Sequence, residues 1–328
     1  MKTRYIFSFL DEDRYGLFKD MTDDNSQKYV EFLPSHKNFS SPIKYIEKIA
    51  LSHVVNKMIH IPLQRVFYNL ENYDYREDTV YKIIIPTLSI GKLSVSYLRN
   101  FKKKYKNVRL YALVTDSMHA HSPHMDFVRE KLISDVWDDV LTYDKFDAKE
   151  FGFTWFGYTY YSQIDENKRG GVKQSDIYYV GYEKGGREEK LCKLYQFLMK
   201  HGISCRFDIV APKKKDTNIR YLKEKIPYPD VLARVKNSNC ILEVLQDGQE
   251  SQSIRYFEAI IYNKKLLTNN KNIHELPYYN GRYMRYFENL KDIDIDWIRR
   301  REEIQYNYKG EFSPLKLIDF LDKLDEKV

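Results

Sequence analysis

Short apolar runs alternate with stretches of helix-like spacing along the first half of the chain. Continuous apolar runs predict buried strands, and apolar positions three or four residues apart predict helices. Strands are predicted at residues 5–10, 80–88, 107–116 and 139–144, helices at 42–70, 93–105 and 126–133, and a last apolar segment at 153–161. Residues 11–41 show too little pattern to assign. Strands that alternate with helices indicate a parallel sheet covered on both faces.

The second half repeats this alternation after a polar segment at residues 162–176, which contains two adjacent glycines and is predicted to be a linker. Strands are predicted at residues 176–182, 203–211, 240–245, 265–270 and 283–288, and helices at 187–202, 216–225, 229–237, 253–262, 292–303 and 313–326. The predicted fold class is α/β, with two Rossmann-like doubly wound domains facing a cleft. The predicted domains are residues 1–165 and 176–290, followed by C-terminal helices at 291–328 that pack back on the first domain.

Composition agrees with a folded protein of two domains. The chain has 328 residues, of which 43% are hydrophobic and 31% charged. The three cysteines form no zinc spacing and suit a reducing compartment. No apolar run approaches the ~20 residues needed to cross a bilayer. We therefore expect a cytoplasmic protein, attached at most to the inner face of the plasma membrane.

The net charge of +7 includes two lysine runs, at residues 102–106 and 213–215. Such runs are usually solvated surface. Their functional interpretation is attraction to an anionic surface, either phospholipid or nucleic acid. Because neither run lies in a nucleic-acid-binding motif, peripheral contact with an anionic membrane is favoured, and no nucleic-acid partner is expected.

A glycine-rich turn, VGYEKGGRE at residues 180–188, lies between a predicted strand and a predicted helix. Glycines allow close backbone approach, and free N–H groups at a helix N-terminus attract phosphate. With two cations beside them, these groups form a predicted diphosphate site. The alternative is a plain turn whose charges face water. The candidate residues are Gly181, Tyr182, Lys184, Gly185 and Arg187.

A second polar stretch, QDGQESQSIRYFEA at residues 246–259, follows the apolar run CILEVL. A chain reversal alone needs fewer polar groups, so this stretch is predicted to bind a ligand. The candidate residues around the start of the next helix are Gln249, Glu250, Ser251, Ser253, Arg255 and Glu258. In the alternative interpretation, Ser251 is only an N-cap and Arg255 with Glu258 only an i,i+3 ion pair.

The pattern Glu-x7-Glu-Ala, from Glu250 to Glu258 and on into the strand KKLLTNN, resembles the nucleotide-sugar-binding half of GT-B glycosyltransferases. The amino-acid sequence of residues 243–270 is similar to the sequences of bacterial enzymes of capsule and lipopolysaccharide assembly. The resemblance is strongest over residues 176–290 and extends weakly to the whole chain. A departure from the family pattern is Ser-Gln-Ser where Phe-Gly usually follows the first glutamate, and this leaves retention or inversion of configuration open.

The resemblance implies a role for each candidate. Glu258 would hold the nucleotide ribose, and Glu250 would lie near the donor sugar. Lys184 and Arg187 would contact the diphosphate of a nucleotide sugar, with UDP favoured, and no permanently bound cofactor is expected. The segment IPYPDVLARV at residues 226–235 would lie near the base, with Tyr228 as a stacking face or, equally, a core tyrosine. The C-terminal domain would thus bind the donor and the N-terminal domain the acceptor.

The segment VTDSMHAHSPH at residues 114–124 follows a predicted strand of the first half. His-x-His-x2-His resembles a metal site, but three histidines without a set of carboxylates are more often a polar surface, so no metal is predicted. Asp116 or His119 is instead predicted to contact or deprotonate the acceptor hydroxyl.

Three functions follow from these patterns. The favoured one is a glycosyltransferase, a hexosyltransferase that moves a sugar to a saccharide or lipid-linked acceptor in cell-surface polysaccharide synthesis. The second is a module that binds a nucleotide or sugar without turnover. The third is a nucleic-acid-binding protein attracted by the lysine runs.

Overall fold

The computed structural model describes residues 2–9, 18–23, 30–34, 41–52, 55, 64–119, 123–157, 161–164, 172–183, 187–211 and 219–325. The chain forms two compact units: the first contains Met1–Ser162 and Phe312–Val328, and the second contains Gln163–Glu311. The predicted C-terminal segment 291–328 is thus divided between the two units. Within the described residues, no helix combines the length and apolar character that crossing a membrane requires.

Six parallel strands form the sheet of the first unit, in the order β2-β1-β3-β4-β5-β6. The strands are β1 (Lys2–Phe9), β2 (Val30–Pro34), β3 (Thr79–Pro86), β4 (Val108–Val114), β5 (Asp139–Thr142) and β6 (Thr154–Trp155). The helices before the second unit are α1 (Lys19–Asp23), α2 (Ser41–Ala50), α3 (Gln64–Phe67), α4 (Thr87–Ile90), α5 (Val95–Lys104), α6 (Pro123–Leu132) and α7 (Lys145–Phe151), with a 3-10 turn at Leu70–Asn72.

The second unit also contains a sheet of six parallel strands, in the order β12-β11-β10-β7-β8-β9. Its strands are β7 (Ser175–Tyr182), β8 (Cys205–Val210), β9 (Arg220–Leu222), β10 (Ser238–Glu243), β11 (Lys265–Thr268) and β12 (Met284–Tyr286). Its helices are α8 (Arg187–Lys200), α9 (Tyr228–Lys236), α10 (Ile254–Ile261) and α11 (Ile295–Arg299), with 3-10 turns at Ile273–Glu275 and Leu290–Asp292. The strand order is that of a Rossmann fold, and its direction reverses between β7 and β10.

The last helix, α12 (Leu315–Asp325), returns to the first unit. Its residues Leu317, Ile318 and Leu321 pack in one apolar cluster with residues of β1 and β3. Lys82, in the middle of β3, is only 1% exposed, and its Nζ donates a hydrogen bond of 2.7 Å to the Leu321 carbonyl. A buried ammonium group requires such partners. The sheet therefore holds α12 by apolar packing and by a buried cation.

Two parallel sheets with helices confirm the predicted fold class, α/β with two Rossmann-like doubly wound domains. Several predicted elements differ from the observed ones. The helix predicted at 216–225 is wrong, because residues 220–222 form the edge strand β9 beside β8. The helix predicted at 292–303 is confined to the five residues of α11. The helix predicted at 42–70 ends at Ala50, and helical structure is described again only at α3 and the following 3-10 turn.

Candidate active site

Arg187 spans the switch point of the second sheet, where β7 and β10 run side by side. Its Nη2 donates to the Tyr182 carbonyl at the end of β7 (2.7 Å), and its Nη1 donates to the Val244 carbonyl just after β10 (3.2 Å). Its Nε is buried and has no hydrogen-bond partner among the described residues. Arg187 is also the first residue of the 14-residue helix α8. A guanidinium group and a helix N-terminus thus lie together where Rossmann folds bind ligands.

The turn between β7 and α8 is only partly described. Tyr182 is exposed at the end of β7, while the predicted phosphate-binding residues Lys184 and Gly185 lie outside the described residues. At Gly181, an added Cβ would lie 2.6 Å from the Tyr179 hydroxyl, so any larger residue at this position would have to displace the Tyr179 ring. The Tyr179 ring occupies that space, and burial raises the pKa of its hydroxyl.

Glu243, the last residue of β10, was not among the predicted site residues, although it organises the polar stretch that follows. Its Oε1 accepts hydrogen bonds of 2.7 Å from both the backbone N–H and the hydroxyl of Ser253, and its Oε2 accepts one of 2.6 Å from Thr268. The Ser253 hydroxyl also accepts from the Arg255 N–H, so Ser253 is the N-cap of α10. Burial raises the pKa of Glu243. A buried carboxylate therefore fixes both ends of the 244–253 loop.

The predicted donor-sugar residue, Glu250, lies within this loop and is linked to the segment after β11. Its Oε1 forms a 2.7 Å ion pair with Lys271 Nζ, and its carbonyl accepts from Asn272 Nδ2. The Gln249 side chain donates to the Ser251 carbonyl. The Ser251 hydroxyl is buried without a hydrogen-bond partner in the described part of the chain. The loop thus places an exposed carboxylate–ammonium pair beside a buried hydroxyl group.

Glu258, the predicted ribose ligand, is fully buried. One of its oxygens pairs with Arg255, one turn earlier on α10, and the other accepts a 3.3 Å hydrogen bond from the Tyr228 hydroxyl. Burial raises the pKa of Glu258, and Arg255 opposes this shift. Burial and the neighbouring Glu258 together place the Tyr228 pKa well above its ordinary value. In this structure the carboxylate has protein partners on both oxygens, and its role toward a ribose stays a prediction.

A further buried carboxylate, Asp208 on β8, is surrounded by three arginines that sequence reasoning missed. Arg234 Nη1 lies 2.7 Å from it, Arg206 Nε 3.3 Å and Arg220 Nε 3.4 Å. The three come from α9, β8 and β9, so no short sequence motif contains them. Three guanidinium groups therefore share one buried carboxylate in this cluster.

In the first unit, His119 follows β4 and contacts two carboxylates of α7. Its Nε2 lies 2.9 Å from Glu150 and 3.8 Å from Asp147. Asp147 is fully buried and accepts a 2.8 Å hydrogen bond from the Met118 N–H. Burial, and secondarily the neighbouring Asp144, raises the pKa of Asp147 to about 7. This cluster is the kind of arrangement that can exchange a proton near neutral pH.

Asp116, the other predicted acceptor contact, is exposed in the turn after β4. His121 lies outside the described residues. The described residues include no group of three or more histidine, cysteine or acidic side chains that could hold a metal ion. The sequence pattern therefore identified His119 but not the two acidic residues beside it, which are close in space and distant along the chain.

Comparisons with known proteins show similarity at the level of structure only. No family model and no curated protein matches the chain. A complex of S. aureus MnaA with UDP is 12% identical, with a TM-score of 0.53, over 100% of this chain and 98% of that one. An α,α-trehalose-phosphate synthase (UDP-forming) from Burkholderia vietnamiensis is 11% identical, with a TM-score of 0.53, over 99% and 94%. This likeness shows the fold, the two-domain α/β architecture of GT-B glycosyltransferases.

Proposed function

We propose that the protein transfers a sugar, a hexose in the favoured case, from a nucleotide-diphosphate donor to a saccharide or lipid-linked acceptor. UDP is the favoured nucleotide, and cell-surface polysaccharide synthesis at the cytoplasmic face of a membrane is the favoured setting. The observation that carries the proposal is Arg187, a cation at the switch point of a Rossmann sheet, whose buried Nε–H has no hydrogen-bond partner in the part of the chain that the structure describes. The likeness to a UDP complex and to a UDP-forming synthase supports it.

On the donor side, Arg187 and the N–H groups of α8 bind the diphosphate, and Lys184 adds a second cation. When the bond between the anomeric carbon and the phosphate oxygen breaks, the leaving nucleoside diphosphate gains negative charge. Cations and helix dipoles at this position stabilise that charge more than they stabilise the intact donor, which lowers the barrier. Gly181 and Tyr182 end strand β7 next to this site.

The sugar of the donor lies against the loop that contains Gln249, Glu250 and Ser251. Glu250 accepts hydrogen bonds from sugar hydroxyls, and the buried Ser251 hydroxyl supplies a further partner. Ser253 positions the loop through its bonds to the buried glutamate at the end of β10. Lys271, which pairs with Glu250, holds the carboxylate in place before the sugar arrives.

The nucleoside lies toward Tyr228 and Glu258. For Glu258 to accept hydrogen bonds from a ribose diol, its ion pair with Arg255 must open, and the freed guanidinium then becomes available to the nucleotide. A carboxylate accepts two hydrogen bonds from such a diol. This step predicts that nucleotide binding changes the environment of α10.

On the acceptor side, His119 removes the proton of the attacking hydroxyl, and Asp116 contacts the acceptor. An imidazole suits this task because one ring nitrogen can accept a proton while the other donates a hydrogen bond. Glu150, 2.9 Å from His119 Nε2, stabilises the imidazolium that forms after proton transfer.

Nucleotide binding and turnover test the proposal separately. The protein is incubated with UDP-, GDP- and CMP-sugars, and the thermal midpoint and nucleotide release are measured. We expect UDP to raise the midpoint and a UDP-sugar to release UDP when an acceptor is present. If no nucleotide changes the midpoint, the proposal is wrong.

The Glu250→Gln variant distinguishes an enzyme from a module that only binds. We expect it to keep UDP affinity within about threefold and to lose 10²-fold or more of the transfer rate, a loss typical of a contact made in the transition state. Glu288→Gln, which changes an exposed glutamate of the same unit, is the matched control and should transfer at the wild-type rate. A protein that binds UDP tightly yet shows no turnover with any acceptor would be a binding module instead.

A further inference from the structure

An apolar stripe is exposed on helix α2 of the first unit. Ile43, Ile46 and Ile49 recur every three residues, which places them along one side of the helix. They are 39%, 55% and 42% exposed, and Tyr45 beside them is 69% exposed. The helix α3, which contacts α2, adds Val66 at 54%. A helix of a soluble protein normally buries such a stripe.

The concentration of these side chains is unusual within the described residues. Nine large hydrophobic residues are exposed there, and five of them belong to the 14 residues of α2 and α3. The end of α2 is nevertheless anchored, because Ala50 and the following Leu51 are buried in the core of the first unit. The stripe therefore belongs to a helix fixed to the domain, with its apolar side turned to solvent.

The amino-acid sequence of this segment favours an anionic phospholipid surface as the occupant of the stripe. Residues 41–67 contain three lysines and one arginine but only one acidic residue, Glu47. Helices that lie in the membrane interface combine isoleucine and aromatic residues on one side with lysines beside them. Tyrosine is also enriched at this depth, since its ring is apolar and its hydroxyl is polar.

The size of the stripe argues against a second copy of the chain. The five exposed side chains present on the order of 500 Å², which is comparable with the largest apolar patch of a typical monomer, and such patches are often functional. A stable dimer needs about 800 Å² from each partner. A membrane requires no matching protein surface, because each side chain that enters the interface contributes independently.

We propose that the first unit docks on anionic membrane surfaces through the apolar side of α2, with Val66 of α3 at its border. This inference goes beyond the proposed function, because docking requires no sugar transfer. Membrane docking can be refuted while sugar transfer is confirmed, and sugar transfer can be refuted while membrane docking is confirmed.

Vesicle flotation tests the docking surface. The full chain is mixed with vesicles of phosphatidylcholine alone or with about 30% phosphatidylglycerol, and the bound fraction is measured. We expect the wild type to bind the anionic vesicles at least tenfold more tightly than the neutral ones. The I46D/I49D variant should bind them at least tenfold more weakly than the wild type. Ile133→Asp is the matched control, because Ile133 is 68% exposed outside this stripe, and it should bind as the wild type does.

A second variant keeps the test independent of folding. In Tyr45→Trp, the indole emission, obtained by subtracting the wild-type spectrum, should shift to shorter wavelength when anionic vesicles are added. Thermal midpoints of all variants are compared in parallel. The proposal is overturned if the wild type does not bind anionic vesicles, if I46D/I49D binds as well as Ile133→Asp, or if the indole emission does not shift. A wild-type dimer that I46D/I49D converts to monomers, without vesicle binding, would assign the stripe to a second copy and also overturn it.

Discussion

Asp147 makes the stability of the first unit depend on pH around neutrality. Its carboxyl is fully buried, and its pKa is raised from 3.8 to about 7, first by burial and then by Asp144. A raised pKa means that the folded state holds the proton more tightly than the unfolded state does. The associated stability is present below about pH 4 and is lost as the pH rises to about 7, and the full loss is roughly 4 kcal/mol.

The Asp147→Asn substitution removes this titration and keeps an acceptor for the Met118 N–H. Between pH 5 and pH 8, the wild type should lose roughly 2 to 3 kcal/mol of unfolding free energy that the variant keeps. The comparison between two pH values cancels any constant effect of the amide on packing. The measurement is urea unfolding at both pH values, followed by tryptophan fluorescence, to which Trp137 and Trp155 of this unit contribute.

Two further variants test whether the pH dependence of unfolding is specific to Asp147. Asp135→Asn changes an exposed carboxylate that pairs with Arg99, and it should show the wild-type dependence on pH. The same comparison in a His119→Gln background removes the imidazole, whose Nε2 lies 3.8 Å from Asp147, so that the carboxyl is tested without this neighbour. If Asp147→Asn follows the wild-type pH dependence in both backgrounds, the burial argument is refuted.

Three other substitutions test packing and capping in the two units. Ser253→Ala removes the helix cap of α10 and a bond to the buried glutamate, and urea unfolding should show a loss of about 1–2 kcal/mol. Gly181→Ala places a methyl group against the Tyr179 hydroxyl and should lower the thermal midpoint, and Tyr179→Phe in the same chain should restore part of the loss. Lys82→Met removes the buried bond to the Leu321 carbonyl, and α12 should become more accessible to limited proteolysis, whereas an unchanged digestion pattern would contradict its role.

Much of the fold could be predicted because the central strands carry long apolar runs. β3 is buried on both faces along nearly its whole length. Its sequence TVYKIIIP can therefore be recognised as a buried strand from the local apolar run alone. Edge strands lack that signal. β2 lies in a segment that showed no pattern, and the three residues of β9 are too few to show a period, since their pairing with β8 depends on contacts distant along the chain.

The candidate site was predicted less completely, for a related reason. Ser253 and Arg255 were named as candidates because they lie in a conspicuous polar stretch, and their roles toward a ligand stay predictions. Glu243 was missed because it ends an apolar run and its partners lie 10 and 25 residues further on. Asp147 likewise occurs in a helix of ordinary composition, and only the fold brings it beside His119. Local patterns reveal polar loops, whereas buried carboxylates become visible only when the chain is folded.

The return of α12 to the first unit has a consequence for biosynthesis. The ribosome releases the chain from its N-terminus onward, so residues 2–157 emerge long before Leu315–Asp325. Until then, this face of the sheet, with Tyr5, Phe7 and Ile84, is only partly covered by α1, because Leu317, Ile318 and Leu321 of α12 are still missing. Domains that emerge complete can fold during synthesis. The first unit must instead wait for the second to be translated, and a nascent chain stalled before residue 312 would expose that face to chaperones.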